Sequence, residues 1–166
     1  MRTSIIRLYA SNMEQAQKML SDVPNERMAE LPFEGAKHPA WTLGHLALGA
    51  GMVTDFIGGN PGGFGGVPEA WTETCMPGTE CQPDRSLYPA KADLLLAYTS
   101  VHERLAAAFE SASEEILATE FPIEDWRAFF PTIGDAAVYV MTHHEGYHLG
   151  QLTQWRRAAG FGPVPA

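Results

Sequence analysis

Basic residues are scarce in this chain: 11 Lys and Arg stand against 20 Asp and Glu, a net charge of −9 over 166 residues. That balance argues against nucleic acid as a partner, because phosphate binding needs a basic surface. The one basic pair, Arg156-Arg157, falls near the end of the last expected helix, where it suits the helix dipole and needs no partner. Apolar runs are short of the roughly 20 residues a membrane span requires. The opening MRTSIIRLYASNM is broken by Arg7 and lacks the apolar core of a signal peptide. A cytoplasmic protein with neither a membrane nor a nucleic-acid partner is expected. Cysteine is limited to Cys75 and Cys81, a C-x5-C spacing that is neither a zinc ribbon nor a redox pair. Two free thiols are expected in a reducing compartment, with a disulfide or an accessory metal clip as alternatives. Convincing strands and internal repeats are missing too.

Helical periodicity is what the chain does have. Its hydrophobic share is 45%, enough to bury a core, and its length fits one domain, residues 1–166. Ile5, Tyr9, Met13, Ala16 and Leu20 recur at three- and four-residue steps, predicting a first helix over residues 3–20. A polar segment follows, with one helical turn expected over residues 26–31. Pro39 suits the first position of a second helix, which carries Trp41, His45, Leu48 and Met52 on one stripe. Gly44, Gly49 and Gly51 are poor helix formers there, so they point to close approach by a neighbouring helix or a ligand. A Gly- and Pro-rich stretch from Ile57 to Tyr88 shows no sustained period, with Phe64 and Trp71 placed to pin it. A loop of that length inside a compact domain is functional or a crossover. The third helix runs from about Pro89 to Glu110 on Leu94, Tyr98, Val101, Leu105 and Phe109, and residues 113–117 add a turn. The fourth starts after Pro131 with Thr132 and Asp135 as an acidic capping box and continues to Ala159, before Gly160. The expected architecture is all-α, a four-helix bundle with one long crossover between the second and third helices.

The fourth helix contains HHEGYHLGQ. His144 and His148 are four residues apart and share a face, so two imidazoles can meet one metal ion. Both lie on the inward stripe, as His45 does on the second helix, and buried imidazoles are costly without partners. Three imidazoles from two helices plus a water make an open, catalytic-type site. Three buried histidines bonded to protein groups satisfy the same pattern equally well. His143 points away from His148 and is expected at the surface or behind the ligands. His38 is expected to open the second helix, and His102 to be a solvated neighbour of Glu103.

The segments HPAWTLGHLA and HHEGYHLGQL, with KADLLLAYTSVHERL between them, resemble the DinB-like (DinB/YfiT) superfamily of helical metalloproteins. The most telling pieces are Trp41-x-x-Gly44-His45-Leu46 and His144-x-x-x-His148-x-Gly150-Gln151. The resemblance implies a four-helix bundle with one divalent metal on His45, His144 and His148, and a homodimer; imidazole suits zinc, nickel, iron and copper, of which zinc or nickel is expected. It also implies one of several activities, of which a transferase using a low-molecular-weight thiol such as bacillithiol, mycothiol or glutathione on a small electrophile is the first. A hydrolase using a metal-bound water and a non-enzymatic binding module are the alternatives. Gln151, Glu145 and Tyr147 are candidates for proton handling or ligand support. Gln151 ranks first because the helix turns the other two off the ligand face. Asp55 and Asp135 lie too far along their helices to be obvious bases. The loop from Ile57 to Tyr88 is expected to border the open face of the metal and set specificity.

Overall fold

A computed structural model of the chain describes residues 1–165. The first helix, α1, is Arg2–Leu20, and a short turn at Asn25–Arg27 follows it, slightly ahead of the expected place. Helix α2 is Pro39–Ile57, with Pro39 in its first turn. His38 caps it: its Nδ1 accepts the Trp41 backbone N–H at 3.1 Å. The connecting stretch folds into short turns, one of them α3, Thr72–Cys75. Helix α4 is Lys91–Ser111, and α5, Glu114–Leu117, is one turn capped by the Ser113 side chain. Thr132 and Asp135 form the capping box of α6, Ile133–Tyr139. The last helix is not continuous: five residues, Val140–His144, wind as a π-helical turn before α7, Glu145–Ala158. No strand forms among the described residues, only an isolated bridge between Glu120 and Thr132. No helix among them is long and apolar enough to cross a membrane.

The long helices pack side by side: α2 lies chiefly against α4, and α1 lies against both α4 and α7. One contiguous core of buried residues joins them, including Leu43, Leu46, Leu94, Tyr98 and Trp155. The glycines of α2 serve different neighbours. A Cβ on Gly51 would collide with the carbonyl of Phe64, and one on Gly44 with the Cys75 sulfur, so these two admit the connecting stretch. Trp71 is buried there and Phe64 half-buried against the core, which pins the stretch as expected. At Gly49 a Cβ would instead sit in ordinary contact, 3.6 Å from His144 Cε1, which leaves room beside that ring.

Two sequence expectations are overturned. Arg156 does not rest on the helix dipole alone; it is 1% exposed, with Nη1 and Nη2 donating to the Asp22 carboxylate at 2.6 and 3.0 Å and Nη1 also donating to the Met19 carbonyl. It ties α7 to the end of α1, and the guanidinium holds the Asp22 carboxyl below its ordinary range. Arg157 beside it is exposed. His102 is not solvated beside Glu103 but 2% exposed, because it follows Tyr98 by four residues and shares its inward stripe.

Candidate metal centre

His45, near the middle of α2, meets His144 at the end of the π-helical turn and His148 one turn into α7. Each offers a ring nitrogen, and the three nitrogens lie within 4.8 Å of one another. They form the one such group of histidine, cysteine or acidic side chains found among the described residues. His45 and His148 are buried and His144 is half-buried.

Hydrogen bonds set the tautomers. His45 Nδ1–H donates to the Cys75 carbonyl at 2.9 Å, which leaves its Nε2 as a bare lone pair. His148 Nδ1–H donates to Gln151 Oε1 at 2.8 Å and exposes its Nε2 in the same way. His144 Nε2 lies 3.0 Å from His45 Nε2, while His144 Nδ1 is buried with no partner. A proton shared between the two Nε2 atoms would satisfy that pair, but it would leave a second bare lone pair buried on His144 Nδ1. A cation at the convergence of the ring nitrogens would accept all three lone pairs and leave His144 with one Nδ1–H donor to satisfy. The donor set therefore fits a divalent ion, with the Cys75 carbonyl and the Gln151 amide orienting two of the ligands from behind.

Electrostatics point the same way. Burial, reinforced by the neighbouring imidazoles, pushes His144 down to about 3 and His148 down to about 4 from an ordinary 6.5. Burial likewise lowers His45. All three are neutral near pH 7, the form a metal needs. Trp41 stacks on His45 with ring centroids 4.5 Å apart, and its Nε1–H donates to Thr79 Oγ1 at 2.9 Å. The Lys37 ammonium covers the Trp41 ring at 4.2 Å. Tyr139 packs beside His144 with centroids 5.7 Å apart.

The remaining sequence candidates scatter. His143 is exposed and packs on Tyr139. Tyr147 is 57% exposed, with its ring 5.2 Å from that of His148. Glu145 points the opposite way from the ligands into the core, where Tyr98 O–H donates to it and His102 Nε2 lies 3.1 Å away. His102 Nδ1–H donates to the Tyr98 carbonyl at 2.7 Å, and the ring stacks on Tyr9 at 4.2 Å. Asp55 accepts the Gly65 N–H at 2.8 Å and Asp135 is spent on its cap. Both cysteines are free thiols. Cys75 is buried, and burial raises it to about 11, so it stays a thiol; it reaches His45 only through its backbone.

A cavity of about 460 Å³ opens directly on His45 and His144. The stretch from Ile57 to Tyr88 contributes only Met76 and Pro77 to its wall. Most of the wall comes from α2 and from the segment 121–140, with Phe121, Trp126, Phe130 and Tyr139 among its aromatic members. The expectation that the glycine-rich stretch sets specificity therefore shifts to the aromatic segment before α6. Nothing in its periodicity marked it, because it holds only one short helical turn, Glu124–Trp126; only the density of aromatic residues was visible.

No curated protein and no solved structure matches the chain. The model of the DinB superfamily matches residues 8–152, a span that takes in α2, the π-helical turn and all three histidines, and the chain belongs to that superfamily.

Proposed function

We propose that this protein is a metal-dependent enzyme acting on a small molecule, with one divalent ion, zinc or nickel, on His45, His144 and His148. The observation that carries the proposal is the convergence of three neutral imidazoles, two oriented from behind, at the end of an open cavity. A structural ion normally takes four protein ligands, and no cysteine or carboxylate joins the histidines. Three ligands and an adjoining cavity favour an ion with a position left for a reactant. An ion so held lowers the pKa of a thiol or water beside it.

Thiol transfer to a small electrophile is the reaction we favour. In it R–SH attacks a carbon bearing a leaving group X; the C–S bond forms, the C–X bond breaks, and the thiol proton departs with X. Such a step needs no carboxylate base, and none lines the cavity. Hydrolysis would ordinarily draw on a base within reach of the water, whereas Asp55, Asp135 and Glu145 are each engaged elsewhere. The chain's own residues frame the metal end: Trp41 and Tyr139 flank the imidazoles, and Gln151 fixes His148.

Elemental analysis of tag-free protein tests the proposal. Near-stoichiometric zinc or nickel is expected in the wild type and in His143→Ala, with little in His45→Ala, His144→Ala or His148→Ala. A folded wild type that neither holds nor takes up a divalent ion would sink it. Screening bacillithiol, mycothiol and glutathione against small electrophiles then separates transfer from hydrolysis. Family membership makes a homodimer the state to test by light scattering.

A further inference from the structure

The cavity's walls are chemically one-sided. Met52, Val53, Phe121, Trp126 and Phe130 supply carbon and sulfur surface, and no Asp, Glu, Lys or Arg side chain lines it. The only imidazoles in the wall, His45 and His144, sit at the metal end. Its volume, about 460 Å³, falls in the range of small-molecule sites, roughly 300–1,000 Å³. An ionised group placed against the apolar walls, away from the metal end, loses hydration and gains no charged partner. Anions meet a second penalty in the net charge of −9. The aromatic walls could face a cation, but a divalent ion at the inner end would repel one.

The surroundings of His148 contrast with this. A second hollow reaches that residue through Gln151 and Tyr147, and it is lined by Lys37 and Gln154. A charged side chain, the Lys37 ammonium, is available there, and none lines the apolar cavity.

We infer that the apolar cavity binds an uncharged molecule with a flat or alkyl body and a single polar end, the polar end directed at His45 and His144. Phe121, Trp126 and Phe130 grip the body by stacking and edge contacts, and Gly49 keeps the passage to His144 open. Molecules that carry charge along that body are disfavoured in this cavity. The inference rests on the proposed reactive centre only for the direction in which the ligand points; occupancy of the cavity stands on its walls.

The test uses two probes with one body, 2-naphthol and 2-naphthalenesulfonate, in calorimetric titrations of the full chain, metal-loaded and metal-depleted. Saturable binding of 2-naphthol is expected in both forms, with the sulfonate at least about tenfold weaker. Met52 is half-buried in the wall, so Met52→Lys places a charge there and should weaken naphthol binding at least about tenfold. Should Met52→Lys misfold, nitrogen-correlated NMR of the wild type decides. The Trp126 indole N–H resonance should move on adding 2-naphthol, while that of Trp155, whose Nε1–H donates to the Glu30 carbonyl at 2.7 Å deep in the core, should not. Equal affinity for the two probes, or naphthol binding that leaves Trp126 unmoved, overturns the inference. Metal content measured on the same samples keeps the two proposals apart. Naphthol binding without any metal uptake upholds the cavity and sinks the metal centre; metal uptake without naphthol binding does the reverse.

Discussion

Gln151 shows how much one side chain behind a buried imidazole can matter. Its Oε1 accepts the His148 Nδ1–H at 2.8 Å, which fixes the tautomer and aims Nε2 at the other imidazoles. Gln151→Ala should lower zinc affinity by about 10- to 100-fold, the usual loss when such a partner is removed. Gln151→Glu, which keeps an acceptor in place, should retain most of it. Competition with a chromophoric chelator measures both, and an unchanged affinity in Gln151→Ala would mean that packing alone holds the ring. Gln151 was legible in the sequence because it follows His148 by three residues, one helical turn. Trp41 was legible as part of a motif, but its stacking on His45 was not, since the ring's place depends on Thr79 and Lys37, which come from outside the helix.

At the scale of elements, helix starts were predictable and helix interiors less so. Pro39 and the Thr132–Asp135 box begin their helices where local chemistry requires. The His38 cap carries a consequence for pH. Neutral His38 accepts the Trp41 N–H on Nδ1, and its Nε2–H donates to the Gln82 carbonyl at 2.8 Å, so a second proton on Nδ1 would break the cap. Burial therefore holds His38 at about 4, against an ordinary 6.5. Below pH 6.5 the unfolded chain binds a proton that the folded chain refuses, so stability falls with pH until about pH 4, at roughly 1.4 kcal/mol per pH unit within that window. His38→Asn keeps a capping acceptor and should lose less stability than wild type between pH 7.5 and 4.5, in urea titrations of metal-depleted protein. Equal losses would refute the assignment. Glycines within helices divide the same way. Gly51→Ala should cost about 1–3 kcal/mol by driving Cβ into the Phe64 carbonyl, whereas Gly146→Ala meets nothing and should gain about 0.5–1 kcal/mol. Thermal melts compare them directly. The π-helical turn, by contrast, leaves no mark in a four-residue periodicity.

Across the whole molecule, two buried polar links join helices that are distant in sequence. Arg156 fastens α7 to the end of α1 through Asp22 and Met19. Glu145 faces Tyr98 and His102 on α4, and His102 stacks on Tyr9 of α1. Tyr98→Phe would strip a donor from a carboxylate that is 1% exposed, and should destabilise the fold by about 1–3 kcal/mol. Zinc stoichiometry at saturation should not change, because Glu145 faces away from the imidazoles. Denaturant titration beside metal analysis separates the effects. A lower zinc uptake by Tyr98→Phe than by wild type would show that the core network and the three histidines act as one unit.

Periodicity, capping chemistry and the spacing of His144 and His148 determined the helices and made three histidines candidates for one site, because these are local rules that act over one or two turns. Tertiary structure alone decided which buried polar groups would find each other. It turned Glu145 and His102 into a core pair and set Arg156 against Asp22. It also assembled the cavity wall from residues 48–53 of α2 and the aromatic segment 121–130, which lie far apart in the chain. Burial costs are settled by neighbours in space, and a linear sequence does not state which neighbours those will be.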